Sequence, residues 1–336
     1  MKLSENFSLK PYNTFRLDAY AKYFAEFSSV EMLQEVLEEN GGLQKMILGG
    51  GSNILLTKNV DGLVLKNGIE GIRVVGENET FVFVQVGAGV NWHQFVMYCI
   101  DHNYAGIENL SLIPGNTGAS PMQNIGAYGV EIKDVFHELE ALHLQERTLQ
   151  TFSNADCKFG YRESVFKKKY KGEFAILNVT FRLNKKSSYN ISYGAIEEEL
   201  KRMHVGELNI KAVSDAVIHI RRSKLPDPEV IGNAGSFFKN PEISVRHLNE
   251  LKLAEPGMAS YKINEQIVKV PAGWLIERCG WKGFRKGDAG CYDKQALVLV
   301  NYGKATGREI YDLSEEIKLS VMEKFKIEIE REVNIL

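Results

Sequence analysis

Short runs of apolar residues separated by glycine and asparagine dominate the first 205 residues, and this pattern predicts strands joined by turns. The strand-like runs are QKMILGG (44–50), GLVLKN (62–67), IRVVGE, TFVFVQVGAG, HELEALHLQ and FAILNVTFRLN. NWHQFVMYCIDHN (91–103) instead has apolar residues at helical spacing. We therefore expect an α+β region built from hairpins, and not a regular alternation of strand and helix.

From about residue 206 the apolar spacing becomes helical, which predicts a second α+β unit. The predicted helices are AVSDAVIHIRRSKL, ISVRHLNELKL, AGWLIERCG and TGREIYDLSEEIKLSVMEKF. Pro226 and Pro228 stop the first of them, because proline cannot continue a helix. The alternating IEIEREVNIL (327–336) predicts a final strand.

Composition excludes several classes of protein. A chain of 336 residues with a net charge of −2 suggests two or three domains and argues against nucleic-acid or membrane partners held by charge. The sequence contains no run of eighteen apolar residues, so we expect no membrane span. The first residues, MKLSENFSLKPYNTF, lack the apolar core of a signal peptide, so we expect a cytoplasmic protein. The four cysteines form no CxxC pair and the seven histidines no metal-binding spacing, so we expect idle thiols and no metal site.

The first glycine-rich loop, Gly49, Gly50, Gly51, Ser52 and Asn53, follows a predicted strand. It is not a dinucleotide-binding fingerprint, which requires G-x-G-x-x-G at the start of a helix, because here the glycines lead into another strand. It is not a Walker loop either, since GK[ST] is absent. Taken alone, the loop is typical of a tight turn.

The second loop, PGNTGASPMQNIGAYG (114–129), is too rich in small residues for a core element. Glycine permits positive φ and close approach to the backbone, and successive N–H groups can hold an anion without lysine. Ser120, Gln123 and Asn124 add side-chain donors. Two readings remain: a site for a phosphate or pyrophosphate, which two such loops favour, or a buried crossing of two segments that needs small residues.

Both loops resemble the flavin-binding loops of the UDP-N-acetylenolpyruvoylglucosamine reductase (MurB) family. The resemblance continues, in family order, through YNTF, GYRESVFK (160–167), RRSKLPDP, GNAGSFFKNP (232–241), PAGWLIE and EREV. SYGAIEEEL (192–200) resembles the extra tyrosine loop of the longer subclass. The combination covers nearly the whole chain and is specific, although a single glycine loop is not.

The resemblance implies an α+β fold: a two-part FAD-binding region of the vanillyl-alcohol oxidase/PCMH type and a C-terminal α+β substrate-binding domain. The implied domains are 1–68 and 69–208 for FAD and 209–325 for substrate, with the strand at 326–336 returning to the first part. The implied reaction reduces the enol ether of UDP-N-acetylglucosamine enolpyruvate to UDP-N-acetylmuramate. The reaction needs a cofactor, because no side chain stores a hydride. The resemblance implies that this cofactor is non-covalent FAD and that NADPH is the co-substrate.

The resemblance also assigns roles to residues. Ser236 matches the proton donor, and Arg162 and Glu332 match the other two active-site residues; Glu330 would share a strand face with Glu332, so spacing alone does not choose between them. The implied FAD contacts are Gly49, Gly50, Gly51, Ser52, Asn53, Pro114, Gly115, Gly118, Ala119, Ser120, Gln123, Asn124, Gly126, Ala127, Tyr128, Gly129 and Arg221. The implied substrate contacts are Tyr161, Tyr193, Lys224, Asn240 and Gln295.

Two other functions are compatible with such a fold. A flavin oxidase or dehydrogenase of a sugar or alcohol would need a base, and no histidine of the second half lies in a motif suited to that role. A non-catalytic flavin or nucleotide-sugar binder would not require Ser236. We expect a monomer that acts on a small nucleotide sugar.

Overall fold

The computed structural model describes residues 2–193 and 195–336. Its strands are β1 (Ser4–Ser8), β2 (Tyr20–Phe27), β3 (Lys45–Leu48), β4 (Ile54–Leu55), β5 (Val60–Asn67), β6 (Ile72–Glu77), β7 (Phe81–Gly87), β8 (Gly126–Ala127), β9 (Val130–Glu131), β10 (Phe136–His143), β11 (Leu149–Ser153), β12 (Phe174–Asn184), β13 (Gly232–Ser236), β14 (Glu242–Ser244), β15 (Tyr261–Lys262), β16 (Ile267–Lys269), β17 (Arg285–Lys286), β18 (Ala289–Cys291), β19 (Val298–Asn301) and β20 (Asn334–Ile335).

The α-helices are α1 (Val30–Glu39), α2 (Trp92–Asp101), α3 (Asn154–Cys157), α4 (Ile196–Arg202), α5 (Ile210–Lys224), α6 (Val245–Ala254), α7 (Ala272–Arg278) and α8 (Gly307–Phe325). Short 3₁₀ turns lie at Lys10–Tyr12, Glu108–Leu110, Thr117–Ala119, Ile132–Asp134 and Val165–Lys167. The mixture of strands and helices confirms the predicted α+β class.

The chain folds into two compact units. The first contains the chain up to Phe7, Ala21–Gly51 and Val60–Ser223, and the second contains Ser8–Tyr20, Ser52–Asn59 and Lys224–Leu336. The first glycine-rich loop is divided between them, after Gly51. The domain limits 1–68, 69–208 and 209–325 stay a prediction.

A four-stranded sheet of the first unit departs from the predicted hairpin pattern. Its order is β1-β2-β5-β3, and β5 is parallel to both β2 and β3. Parallel strands of one sheet need a crossover connection, and α1 supplies the one from β2 to β3, which flank β5. Ser29 caps α1 by accepting from the N–H of Met32, and the helix buries Leu33 and Val36. The hairpin expectation was wrong here, because pairing between distant segments set the strand direction.

The other sheet of the first unit is antiparallel, in the order β11-β10-β12-β7-β6. The predicted hairpin is confirmed in the pair β6 and β7, and the predicted helix in α2. Helix α2 begins after Asn91, whose side chain accepts from the N–H of Gln94. Trp92 and Phe95 lie edge to face with a centroid separation of 5.8 Å, and both pack on Phe181 of β12. Trp92 also donates to the carbonyl of Leu110 at 2.9 Å, so this core holds the 3₁₀ turn that precedes the second glycine-rich loop.

The second unit contains the sheets β13-β19-β18-β17 and β14-β16-β15. Helices α6, α7 and α8 confirm the three helices predicted after residue 240. Helix α5 confirms the one stopped by Pro226, but its residues up to Ser223 belong to the first unit. Helix α8 begins with a capping box, in which the side chains of Thr306 and Glu309 each accept a backbone N–H of the other. Its buried face is formed by Ile310, Leu313, Ile317 and Val321.

The last ten residues form less strand than the sequence predicted. Only β20 pairs regularly, in parallel with β4, and Arg331 forms an isolated bridge with Phe238. Ile327 and Ile329 are nonetheless buried in alternation with exposed glutamates, so the segment is extended. The period-two pattern predicted its conformation correctly, whereas the continuous ladder was wrong because the segment bonds to irregular backbone.

Within residues 2–193 and 195–336, no helix combines the length and apolarity that crossing a bilayer requires.

We predict that Gly307→Ala destabilises the second unit. A Cβ at Gly307 would lie 1.9 Å from the carbonyl oxygen of Leu56, just after β4, so helix or strand must shift. Overpacking of this kind costs about 1–3 kcal/mol. Gly257→Ala is the matched control, because nothing lies within 4 Å of the added Cβ. Chemical denaturation measures both, and an equal small effect of the two would contradict the packing of α8 on β4.

Candidate active site

The two glycine-rich loops touch backbone to backbone in the first unit. A Cβ at Gly50 would lie 2.9 Å from the Cα of Gly115 and 2.8 Å from Oδ1 of Asn116. A Cβ at Gly118 would lie 2.4 Å from the Cβ of Ala88. Gly50 and Gly118 are therefore required by close packing, as the reading of a buried crossing expected.

The same crossing leaves backbone donors for a ligand. Among residues 2–193 and 195–336, no group accepts from the N–H of Gly49, Gly50, Gly115 or Asn116. All four residues are only half-buried. Gly115 has a φ of +115°, a conformation that glycine favours. Neighbouring N–H groups without acceptors, in a cradle that a Cβ would fill, suit an anionic group such as a pyrophosphate. The two interpretations of the second loop, a buried crossing of two segments and a site for an anionic ligand, are thus compatible.

The polar side chains of the second loop mostly hold the loop itself. Ser120 is buried, and its hydroxyl donates to the carbonyl of Thr117 at 2.7 Å. Asn124 is buried too, and its amide donates to Glu131 and to the carbonyl of Gly160, each at 3.0 Å. The backbone therefore offers the better ligand donors here, and contacts from these side chains to a cofactor stay a prediction.

Asn124 joins the second loop to the GYRES motif. Tyr161 and Arg162 form a tight turn between Gly160 and Glu163, and Arg162 has a φ of +55°. The Arg162 guanidinium donates to the carbonyl of Gly126 at 2.5 Å and lies over the Tyr161 ring, 5.5 Å from its centroid. The structure thus brings Tyr161 and Arg162 to the second loop, and their roles stay a prediction.

Tyr128 and Gly129 form the two-residue turn between β8 and β9, with φ of +50° and +81°. Positive φ at both central residues is the geometry of a type I′ hairpin turn. Burial raises the pKa of the Tyr128 hydroxyl, against the opposing effect of the Arg221 charge on α5. Burial, reinforced by the charge of Arg162, lowers the pKa of Arg221. Nε of Arg221 is buried and has no hydrogen-bond partner in the described part of the chain. This N–H could therefore donate to a bound ligand, as the predicted flavin contact would require.

Ser236 ends β13 in the second unit. The pairing of β13 with β19 shifts register between Asn233 and Ser236, and Gly235 in the shift has a φ of +70°. The Asn233 side chain accepts from the N–H of Gly235 at 3.0 Å and fixes the bulge. Ser236 is exposed although Phe237 and Phe238 are buried. The bulge therefore presents the hydroxyl at the surface of the second unit, on a rigid strand end.

Glu332 lies beside this strand end. Its N–H donates to the carbonyl of Phe237 at 2.8 Å, and Asn53 of the first loop donates to its carbonyl at 3.4 Å. Glu330 instead pairs with Lys239 at 3.1 Å and is exposed. The structure thereby distinguishes the two carboxylates that spacing could not: Glu330 is in an ion pair, and Glu332 adjoins the residue after Ser236.

Asn240 and Gln295 each lie against the first residues of α7. Oδ1 of Asn240 accepts from the N–H of Ala272 at 2.9 Å, and Oε1 of Gln295 lies 2.8 Å from where a Cβ of Gly273 would be. Lys224 ends α5 and is exposed. Tyr193 is 46 % exposed in the first unit. Gly194, in the predicted tyrosine loop, lies outside the described residues.

The sequence assigned no role to three residues near the site. Nδ1 of His93 accepts from the N–H of Leu112, two residues before the second loop, at 3.1 Å. Asn109 donates to the carbonyls of Tyr128 and Asn190. Lys239 lies within GNAGSFFKNP, but only the structure gives it a partner, Glu330. Helical or strand periodicity cannot reveal contacts between segments so far apart in sequence.

The cysteines take no part in the site. All four are free thiols, and burial raises the pKa of Cys157 and of Cys291 to about 12. A thiol with such a pKa is unreactive near neutral pH. Across the described chain, no group of three His, Cys, Asp or Glu side chains is arranged to hold a metal ion.

We predict that His93 makes stability depend on pH. Burial, then the charges of Arg222 and Arg221, lower the pKa of His93, so above its folded pKa the ring stays neutral and can accept from Leu112. Between the folded and the unfolded pKa the unfolded chain binds more protons, so stability is fully present above the unfolded value and is lost as pH falls through the folded one.

Thermal unfolding at about pH 7.5 and about pH 5 measures this effect. His93→Gln should lose less stability on acidification than the unmodified protein, whereas His102→Gln, at an exposed position, should behave like the unmodified protein. An identical pH dependence for His93→Gln would contradict the role of His93.

Comparison with known proteins agrees with this geometry. Residues 21–151 match a family model described as an FAD binding domain, and residues 227–336 match one described as the C-terminal domain of UDP-N-acetylenolpyruvoylglucosamine reductase. The crystal structure of UDP-N-acetylenolpyruvylglucosamine reductase (MurB) from Thermus caldophilus has a TM-score of 0.70 at 22 % identity, over 100 % of this chain and 99 % of that one, and so shares the fold.

Curated relatives cover the full length. The chain is 51 % identical to a protein of Flavobacterium johnsoniae and 48 % identical to one of Amoebophilus asiaticus, each over 100 % of both chains. It is 46 % identical to a protein of Pseudomonas putida over 98 % of both. All three relatives are named UDP-N-acetylenolpyruvoylglucosamine reductase. The chain therefore belongs to the UDP-N-acetylenolpyruvoylglucosamine reductase family.

Proposed function

We propose that this protein reduces UDP-N-acetylglucosamine enolpyruvate to UDP-N-acetylmuramate with FAD and NADPH, a step of peptidoglycan precursor synthesis. Identity of 51 % over the whole length to a relative of that name is the observation that carries the proposal. The alternative of a flavin oxidase of sugars or alcohols is not favoured by any of these relatives. NADPH and nucleotide sugars are cytoplasmic metabolites, so we place the reaction in the cytoplasm, and a monomer stays our expectation.

The first unit would hold the FAD. The N–H groups of Gly49, Gly50, Gly115 and Asn116 suit its pyrophosphate, and Arg221 would face the flavin. When reduced by NADPH, bound FAD supplies a hydride for the terminal vinyl carbon of the substrate. The small residues of the second loop let a ligand reach the backbone, which explains why the loop carries few side chains of its own for this purpose.

Ser236 would deliver the proton that completes the reduction. Addition of hydride to the vinyl carbon leaves a basic carbon beside the carboxylate, and the Ser236 O–H bond breaks as the new C–H bond forms. A serine hydroxyl is a weak acid, but a carbanion-like centre is basic enough to take its proton. The bulge at Gly235 fixes the direction of the hydroxyl, and its exposure makes it available to substrate.

Arg162 and Glu332 would bind the substrate carboxylate and stabilise the negative charge that develops on it. A guanidinium matches a carboxylate with its planar donors and stabilises the negative charge that develops there. The bond to the Gly126 carbonyl fixes the orientation of Arg162. Glu332 would help to hold the emerging enediolate while it carries or shares a proton, since a second full negative charge would repel the substrate.

The nucleotide part of the substrate would be bound by Tyr161, Tyr193, Lys224, Asn240 and Gln295. Lys224 is exposed and its ammonium suits a diphosphate. Asn240 and Gln295 both lie against the first residues of α7. Their amides can both donate and accept, which suits the hydroxyl and amide groups of a sugar.

An anaerobic experiment tests the reaction as a whole. We predict that one equivalent of NADPH bleaches the visible flavin band of the purified holoenzyme, and that UDP-N-acetylglucosamine enolpyruvate then restores it. Each half-reaction is read in the same cuvette. Bleaching without recovery would support the flavin but contradict the proposed substrate. The absence of a flavin band after addition of FAD would overturn the whole proposal.

We predict that Ser236→Ala leaves bleaching by NADPH intact and slows recovery of the band by about 10²–10⁴, the usual contribution of a positioned acid. Only the second half-reaction delivers a proton to carbon. Ser223→Ala, at an exposed serine whose hydroxyl bonds the carbonyl of Ile220, is the control and should change neither rate. Equal losses in both half-reactions of Ser236→Ala would mean that Ser236 shapes the pocket instead.

A further inference from the structure

The turn at Tyr128 and Gly129 is held in an uncommon conformation. A tyrosine with a φ of +50° is rare, because its Cβ crowds the carbonyl in the left-handed region. Such a residue persists only where its surroundings fix it, and such sites often serve a function. The contacts that hold the backbone of this turn come from two asparagines.

Asn109 supplies one of those contacts. It lies in the 3₁₀ turn Glu108–Leu110 and is 1 % exposed. Its single amide group donates to the carbonyl of Tyr128 at 3.0 Å and to the carbonyl of Asn190 at 2.7 Å. One buried side chain therefore uses both of its N–H donors to join the end of the second glycine-rich loop to the segment that carries Tyr193.

Asn190 closes the arrangement from the other side. Its side chain donates to the carbonyl of Gly129 at 3.1 Å. The two segments are in close contact, because a Cβ at Gly129 would lie 3.2 Å from the Cβ of Tyr193 and 3.0 Å from Nδ2 of Asn190. The missing side chain at Gly129 therefore sets how closely Tyr193 approaches the turn.

We propose that Asn109 and Asn190 act as a clamp that positions Tyr193 against the Tyr128–Gly129 turn, so that the flavin loop fixes the place of a substrate-binding tyrosine. The clamp consists of three hydrogen bonds: two from Asn109 and one from Asn190. It makes Asn109 a positioning residue, since it acts through backbone carbonyls and touches neither ligand. The inference rests on the proposed role of Tyr193 in binding the nucleotide.

The rate of proteolysis near Tyr193 tests the clamp in the absence of any substrate. Asn109→Asp keeps the shape of the side chain but turns two donors into an acceptor facing two carbonyls. Chymotryptic cleavage after Tyr193 should then become at least about fivefold faster, the effect of losing one ordinary hydrogen bond. Asn190→Asp, which removes a single bond, should give a smaller increase. Cleavage after Tyr261, 54 % exposed in the other unit, is the internal control and should keep its rate.

Kinetics read the consequence for substrate. Gly129→Ala adds a Cβ that pushes on Tyr193, and should raise KM for UDP-N-acetylglucosamine enolpyruvate about fivefold. Gly172→Ala is the matched control: its φ of +78° gives the same backbone strain as the +81° of Gly129, but nothing lies within 4 Å of the added Cβ. It should lower stability equally and leave KM unchanged.

Tyr193→Ala separates the two hypotheses. If Tyr193→Ala leaves KM unchanged, Tyr193 does not bind the nucleotide and the proposed role of the clamp in catalysis fails with it, whatever the proteolysis shows. If Tyr193→Ala raises KM but Gly129→Ala does not, Tyr193 binds substrate and the clamp does not position it. An unchanged rate of cleavage after Tyr193 in Asn109→Asp would show that the three hydrogen bonds do not act as a clamp.

Discussion

Direct contact between two stretches of backbone is the constraint on which the candidate site depends. Gly50 and Gly118 have no room for a Cβ, since each would collide with Gly115 or Ala88. At this crossing the N–H groups of Gly49, Gly50, Gly115 and Asn116 are half-buried, and no acceptor for them lies within the described part of the chain. A buried N–H without a partner costs free energy, so a bound pyrophosphate would stabilise the crossing while it gains its own donors. Packing and ligand binding use the same glycines for this reason.

The second unit solves a different problem, that of presenting a weak acid at a fixed place. Ser236 stands at a bulge, and the register shift turns it outward while the next two phenylalanines anchor the strand in the core. Glu332 arrives from the far end of the chain and bonds to the same strand end, and Asn53 bonds to Glu332. Residues 53, 237 and 332 therefore meet although nearly the whole sequence separates them.

Local pattern was a good guide wherever local contacts decide the structure. The helical spacing after residue 206 and the hairpin of β6 and β7 were predicted correctly, because apolar periodicity and turn residues act over a few positions. The pattern failed for β2, β3 and β5. A parallel strand and an antiparallel one bury the same residues, so the sequence of each strand does not say which direction its neighbour takes.

The sequence by itself determined the class of fold, the two glycine-rich loops and, through its motifs, the family and the residues with candidate roles. It could do so because glycine at a strand end and a reactive residue in a motif are local properties. Only the tertiary structure decided which glycines are needed for packing, that Lys239 pairs with Glu330, and that Asn109 joins Tyr128 to Asn190. Each of these depends on distances between segments that periodicity does not encode, since a hydrogen bond forms wherever folding brings its two atoms together.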